Sequence, residues 1–472
     1  MTEKPETHHR ALLGRTAKLA AEYLDSLGAR PVGRPVPVAD LRAALGGELP
    51  EEGEPPEQVV ERLAREAGRG LVASSGPRFF GFVVGGTLPA ALAADWLATA
   101  WDQNAGLYVL APAASVCEEA AAGWLRGLLG LPAAASVGFV TGCQAANFAA
   151  LAAARHATLE RAGWDVEARG LYGAPELAVV VGEEAHVTVH TALQMLGLGR
   201  DRVHRVPADG QGRMRADELA RLLPSLAGRP LVVCAQAGNV NTGAFDPLPA
   251  IADLARAHGA WLHVDGAFGL WAGASPRTRA LAAGVERADS WATDAHKWLN
   301  VPYDSGLVFC AHPDAHRAAL TATASYLEQT EGRERDPFEW TPEFSRRARG
   351  FAVWAALASL GRRGVAALVD DACASARRFA ELLGAARGVT VLNEVVLNQV
   401  LVRFAPPGGG DEAATDAWTR ETVRRVQEEG VLWLSGTTWK GRAAMRISVS
   451  CHRTSPADVE RSAAAILAAA ER

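Results

Sequence analysis

Between residues 135 and 311 the chain repeats one pattern: a short, nearly continuous apolar run, a turn, then a longer stretch with apolar residues at helical spacing. The apolar runs are SVGFV, LAVVV, LVVCA, WLHV, SWAT and GLVFCA, and each is followed within three residues by Gly, Pro or Asp. Runs this short, bounded this way, read as strands buried on both faces. Between them CQAANFAALAAARHA, HVTVHTALQMLG and PLPAIADLARAHG read as helices, and one more is expected from about Ser275. Such alternation predicts an α/β domain with a mainly parallel sheet covered by helices on both sides.

The flanks follow different patterns. Residues 10–27 carry helical periodicity, a short helix is expected after Pro37, and a third runs from about Pro56 to Gly68 beyond the acidic, Pro-rich GELPEEGEPPE. From Pro77 to Pro112 the chain turns aromatic, and 115–131 forms an amphipathic helix. After Phe351 come a helix, the strand NQVLVRF, a helix from Ala414 to Glu429, the strands GVLWLS and AMRISVS, and a final helix, with Gly408–Gly410 as a connector. This predicts three parts: a helical segment over 1–75, a large domain over 76–355, and an α+β C-terminal small domain over 356–472. A chain of 472 residues is also longer than one core ordinarily organises.

Composition narrows the function classes. The net charge of −5 offers no basic face for nucleic acid. Six scattered cysteines, with no CxxC and no metal-ligand spacing, suit a reducing compartment and give no metal site. The start, MTEKPETHHRALLG, lacks the basic-then-apolar layout of a signal peptide, and Asp95 interrupts the apolar run Leu88–Ala100. The expectation is a cytoplasmic protein without a membrane segment.

The chemistry lies between Trp261 and Trp298. Only four of the 48 basic residues are lysines (Lys4, Lys18, Lys297 and Lys440), so Lys297 stands in an apolar setting where this chain elsewhere uses arginine. An amine can lose its proton and attack a carbonyl, most readily when desolvation lowers its pKa, whereas a guanidinium cannot. Asp265 ends the run WLHV, at the strand end where α/β sheets meet ligands. A surface lysine and a helix-capping aspartate are the plain structural alternatives. Earlier in the chain, SVGFV ends at Thr141-Gly142 and a helix begins near Gln144, a junction that aims free backbone N–H groups at an anion.

HVDGA at 263–267 and DAHKW at 294–298 resemble the group II pyridoxal-phosphate-dependent amino acid decarboxylases, the aromatic amino acid and glutamate decarboxylase superfamily. The resemblance extends from about residue 10 to the C-terminus. It implies a fold-type I homodimer with a mainly parallel, seven-stranded type of sheet and pyridoxal 5'-phosphate as cofactor. Lys297 would then be the Schiff-base lysine, Asp265 the partner of the pyridinium, and His186 the stacking residue, which lies 79 positions before Asp265 in the family's order. Gly142, Cys143 and Gln144 would hold the phosphate, although Cys143 and Gln144 stand where the family commonly has Gly and a hydroxyl residue. Ala267 would leave the second ring face open, and Asp294 and His296 would position lysine or phosphate. Phe82, Trp101, Asn104 and Phe338 would line the substrate pocket, partly across the dimer. The GNVNTGAFD loop resembles a family loop with Asn239 where Thr is usual, and Asp246 is expected to cap the next helix.

The resemblance implies decarboxylation of an L-amino acid with an aromatic or apolar side chain. Two departures keep alternatives open. The loop 321–344 would supply a proton-donating Tyr, but that position is Pro337, beside Phe338, and the loop's Tyr326 is displaced by about ten residues. In some relatives loss of the Tyr gives an oxygen-dependent aldehyde synthase. An aminotransferase is favoured if Arg446, expected on an edge strand, points into the site.

Overall fold

The computed structural model describes residues 6–33, 35–321 and 334–472. Seven strands make the large sheet: β1 (Ser136–Val140), β2 (Ala178–Gly182), β3 (Val203–Val206), β4 (Leu231–Gln236), β5 (Trp261–Asp265), β6 (Ser290–Asp294) and β7 (Gly306–Cys310). Their order is β1-β7-β6-β5-β4-β2-β3. Only β7 runs against the rest, pairing antiparallel with both β1 and β6. The other six therefore end at one edge of the sheet. Every residue of β1, β4, β5, β6 and β7 is buried, as strands covered on both faces require.

The helices, in chain order, are α1 (Glu6–Ser26), α2 (Val38–Leu45), α3 (Pro56–Ala67), α4 (Pro89–Trp101), α5 (Pro112–Leu129), α6 (Cys143–Arg161), α7 (Val166–Arg169), α8 (Val187–Met195), α9 (Ala216–Leu222), α10 (Leu248–Ala257), α11 (Pro313–Leu320), α12 (Gly350–Gly384), α13 (Glu412–Glu429) and α14 (Pro456–Ala470). A second sheet, in the order β10-β11-β9-β8, is antiparallel and built from β8 (Val389–Val391), β9 (Gln399–Phe404), β10 (Ser435–Trp439) and β11 (Arg442–Ser448). Helix α12 crosses the expected boundary at 356 and packs on α4 and α5 as well as α14. By length and composition it is apolar enough to cross a membrane. Its apolar face instead joins the core through Ala352, Val353, Ala356, Val365 and Val369, and its regular geometry breaks at Gly361.

Several local expectations are corrected. The helix from about Ser275 is replaced by three short 3-10 turns over 269–274, 279–282 and 285–287. Pro276 and Gly284 explain this, the latter at φ 84 with a Cβ position that backbone atoms of Pro249 would fill. The strand expected at 430–435 forms over Ser435–Trp439 instead. Trp433 is drawn off to pair with the aromatic segment, exchanging backbone bonds with Arg78 and Phe80 at 3.0 and 2.7 Å. Asp246 does not cap α10. It is buried, and its carboxylate accepts the N–H groups of Met214 and Gln236, both at 2.7 Å. Arg446 lies on β11, an interior strand between β10 and β9, not on an edge.

Helices α2 and α3 bury none of their residues within the chain. Of the loop 321–344, Tyr326 lies outside the described residues. The segment after it is anchored by a buried ion pair: Arg346 meets Glu118 at 2.7 Å, both wholly buried, with Arg335 at 3.7 Å from the same carboxylate.

Candidate active site

The common edge of the six strands carries the chemistry: β5 and β6 end in Asp265 and Asp294, and the turns after β1 and β2 lead to Gly142 and His186. After β1 the chain turns at Gly142, the N-cap of α6. The first backbone bond of the helix is Ala146 N–H to Gly142 O, at 2.9 Å, so the amides of Cys143, Gln144 and Ala145 have no helical acceptor. Gly306 opens β7 directly against this turn, where a Cβ would sit 2.5 Å from Gly142 Cα. The turn is therefore clamped between a helix start and the neighbouring strand.

At the end of β6, Asp294 joins two of the expected groups. Its Oδ2 lies 2.8 Å from Lys297 Nζ and its Oδ1 accepts the Cys143 N–H at 2.6 Å. Burial pushes the Lys297 amine down, but Asp294, Cys143 and Asp265 together more than offset this, so the net direction is upward. The sequence expectation of a lysine depressed by desolvation is thus reversed: before loading, Asp294 keeps the ammonium charged. His296 accepts the Ser305 N–H on Nδ1 at 3.1 Å, which leaves its proton on Nε2, 3.4 Å from Asp294 Oδ1. Its ring stacks on Tyr303 at 4.3 Å. Burial, opposed by Asp294, keeps this imidazole neutral-leaning, below its ordinary pKa.

Asp265 closes β5 and is 3% exposed. Its Oδ1 accepts the Ala267 N–H at 3.2 Å and faces Cys143 Sγ at 3.4 Å, while Oδ2 accepts from Asn147 Nδ2 at 3.2 Å. Burial first, then Asp265 and Asp294, hold the Cys143 thiol well above its ordinary range, so it serves Asp265 as a weak neutral donor. His186 caps α8 and bonds through Nδ1 to Thr188 Oγ1 at 2.8 Å. Its pKa is lowered by burial, with Asp265 opposing and Lys297 and Arg446 reinforcing. A narrow cleft is lined by both His186 and Asp265.

These groups fit pyridoxal phosphate. A phosphate matches the amides of Gln144 and Ala145 at the start of α6, a pyridinium matches Asp265, and an aldehyde matches Lys297. A further observation points to a carboxylate ligand. Arg446 is buried, carries no ion pair among the described residues, and leaves Nε without a partner; its one hydrogen bond is to Val240 O at 3.4 Å. Burial pushes it down to about 10. The other buried arginines, Arg78, Arg346 and Arg403, all have carboxylate partners.

The expected pocket residues divide. Phe82 is 61% exposed and stacks on Trp433 at 5.3 Å. Three residues later, Gly85 lies so close to the Lys297 carbonyl that no side chain would fit. Trp101 meets Phe351 edge-on at 5.2 Å, Asn104 bonds Ser345 and Arg346, and Phe338 packs on Phe344 at 5.0 Å. These side-chain contacts of the last three run to residues 344–351, and none is to Lys297, Asp265 or His186. Asn239 forms a local turn, accepting from the N–H groups of Asn241 and Thr242.

Sequence reading missed Asn147, Thr188 and Asn300. Asn300, buried and left-handed at φ 54, accepts from Gly86 N and His452 N and donates to Trp298 O and Ser450 O. It thereby ties the lysine turn to both the aromatic segment and the small domain. The available signal was a polar residue in the apolar run WLNV, of a type that tolerates positive φ.

Fold and site together define a fold-type I pyridoxal phosphate enzyme. The family model described as "Pyridoxal-dependent decarboxylase conserved domain" matches residues 39–405. An aromatic-L-amino-acid decarboxylase of Bacillus atrophaeus is 27% identical over 91% of this chain and 88% of its own. A cysteine sulfinic acid decarboxylase of Mus musculus is 32% identical over 78% and 75%. A crystal structure of Oryza sativa TDC with PLP and tryptamine superposes with a TM-score of 0.93 at 24% identity, covering 100% of this chain and 99% of that one. The chain belongs to the pyridoxal-phosphate-dependent amino acid decarboxylases and is a carboxy-lyase of that family.

Proposed function

We propose that the enzyme removes carbon dioxide from an L-amino acid with an aromatic or apolar side chain, releases the amine, and works as a homodimer in the cytoplasm. The carrying observation is the pairing of one unpartnered buried cation with an aromatic surface. Arg446 gives the α-carboxylate an anchor, and among the described residues no second buried arginine is left unpaired to take an acidic side chain. Phe82 and Trp433 offer an aromatic wall beside the lysine turn. The Bacillus relative's activity toward aromatic amino acids agrees with this, and that of the cysteine sulfinic acid decarboxylase does not.

Bound pyridoxal phosphate supplies a protonated ring that takes up the electrons released as the Cα–carboxylate bond breaks. The chain's residues do the rest. Asp265, an acceptor fixed by three donors, holds the ring nitrogen's proton. Asp294 takes or returns the proton of Lys297 Nζ. Arg446 and His186 would bind and orient the substrate's carboxylate.

Trp101, Leu97, Val109 and Leu110, each about half exposed or more, are apolar surface that a second copy would cover. Six unpaired cysteines support a reducing compartment. The test is to incubate the purified, cofactor-loaded protein with aromatic, branched, acidic and sulfinic amino acids, with and without oxygen, while reading carbon dioxide, amine and aldehyde; light scattering gives the mass in solution. Amine from aromatic substrates in both atmospheres is expected. Turnover of acidic substrates alone overturns the substrate class, and aldehyde formed only with oxygen overturns the product.

A further inference from the structure

Behind Asp265 a line of buried hydrogen bonds runs through four other side chains on three elements. Asn147 Nδ2 donates to Asp265 Oδ2 at 3.2 Å; Asn147 Oδ1 meets His263 Nε2 at 2.9 Å; His263 Nδ1 meets Ser290 Oγ at 3.0 Å; and Trp261 Nε1 donates to Ser290 Oγ at 2.9 Å. Asn147, His263 and Ser290 are fully buried, so no water competes for these bonds.

The direction of every bond follows from chemistry. Asp265 is acceptor-only as a carboxylate, so Asn147 must present its amide nitrogen there and its oxygen to His263. That oxygen needs a donor, which places the His263 proton on Nε2. Burial holds His263 down at about 4, so Nδ1 is bare and accepts the Ser290 hydroxyl. The Ser290 oxygen in turn accepts from Trp261, which can only donate.

Asn147 also has a second amide hydrogen. Thr188 Oγ1 lies 3.3 Å from Nδ2 and, having accepted there, gives its own hydrogen to His186 Nδ1 at 2.8 Å. The Thr188 backbone N–H donates more weakly to the same Nδ1, at 3.4 Å, so the His186 proton is left on Nε2. One amide thus governs an acceptor on one side of the cofactor site and a donor on another.

We propose that Asn147 is a positioning residue that sets the protonation geometry of the cofactor site: it keeps Asp265 a pure acceptor for the ring nitrogen and, through Thr188, fixes His186 in the Nε2–H form. Residues His263 and Ser290 hold Asn147 in the one orientation that does this. The inference rests on the pyridoxal phosphate assignment, and its test separates the two.

The readouts need no substrate: equilibrium affinity of the full-length apoprotein for pyridoxal phosphate, the pH titration of the visible absorbance gained when Lys297 holds the cofactor, and the thermal midpoint of the apoprotein. Asn147→Asp keeps the shape and replaces both amide donors with a carboxyl that must share a proton with Asp265; it is expected to weaken cofactor affinity about tenfold or more and to move the titration midpoint. Ser290→Ala, two links behind Asn147, moves the midpoint the same way by less. Thr188→Val moves the midpoint by cutting only the His186 arm, and Thr188→Ser restores the wild-type curve. A folded Asn147→Asp protein with wild-type affinity and titration overturns the proposal. If that variant does not fold, wild-type titrations in both Thr188→Val and Ser290→Ala overturn it equally. Absence of any visible band in the wild-type protein would instead count against the cofactor assignment.

Discussion

Arg446→Met should make the apoprotein more stable and the enzyme worse. Burial alone brings the guanidinium down to about 10, and at about 1.36 kcal/mol per tenfold the charged side chain is about 3 kcal/mol less stable folded than unfolded. Because the folded pKa is depressed, the cost is fully present at neutral pH, where both states are charged, and is relieved only as pH rises through about 10. Methionine fills most of the same volume without the charge, and losing the bond to Val240 O gives back about 1 kcal/mol. The expected net gain is about 2 kcal/mol, read as a higher urea midpoint for cofactor-free protein at fixed concentration. In the loaded enzyme the same change removes a charge-assisted anchor worth about 1.5–3 kcal/mol, a loss of about tenfold to a hundredfold in kcat/KM. A destabilised apoprotein would mean that Arg446 has a structural partner, and a stabilised one with unchanged kinetics would mean that no carboxylate uses it.

Other outcomes follow from single sites. Lys297→Ala should abolish the visible absorbance of the loaded protein, and an intact band would refute the assignment of that lysine. Glu118→Gln leaves the buried Arg346 without its charge partner and should cost about 3–5 kcal/mol by urea unfolding, whereas Glu118→Gln with Arg346→Met should cost less than either loss suggests. Buried His316, held down at about 3 by burial and by Arg335, stays neutral in the folded chain while the unfolded chain takes up a proton below its ordinary pKa of 6.5. Stability should therefore fall as pH drops from about 6.5 toward 3, and His316→Gln should remove about one proton's worth of that slope, about 1.4 kcal/mol per pH unit. An unchanged slope would place the acid sensitivity elsewhere.

Six of the seven strands of the large sheet were legible because their apolar runs are short and sharply bounded, and Asp265 and Lys297 because each is the odd residue in its surroundings; β3, VHRV at the sheet edge, was not, because its two middle residues are polar and only its last residue is buried. Asn147 was not legible. Within QAANFAALAAA it is one polar residue in an alanine-rich helix, and its partners lie 41 to 118 positions away on other elements. Arg446 was misplaced for a related reason: the period of AMRISVS shows a strand but not its neighbours, and whether an arginine is a surface charge or a buried one depends on the strands beside it. The stretch 275–287 failed differently, since helical composition there was overridden by Pro276 and by the close approach of Gly284 to Pro249. Trp433 was counted with the small sheet because nothing in the sequence shows that residues 78–80 return to pair with it.

The alanines of α6 acquire a reason from the site. Cys143, at the anion-binding end, and Asn147, behind the ring-nitrogen acceptor, stand four residues apart, about 6 Å along one rigid helix. The helix therefore sets the distance between the two ends of the cofactor site, as a loop could not. That setting holds only if the helix lies close on the sheet. Ala146, Ala149 and Ala150, each fully buried, pack against Val140, Ala292 and Val308. A larger side chain at any of the three would lift α6 from β1, β6 and β7, and both ends would move together. In this chain the alanines of α6, with no chemistry of their own, are what hold Cys143 against Asp294 and Asn147 against Asp265.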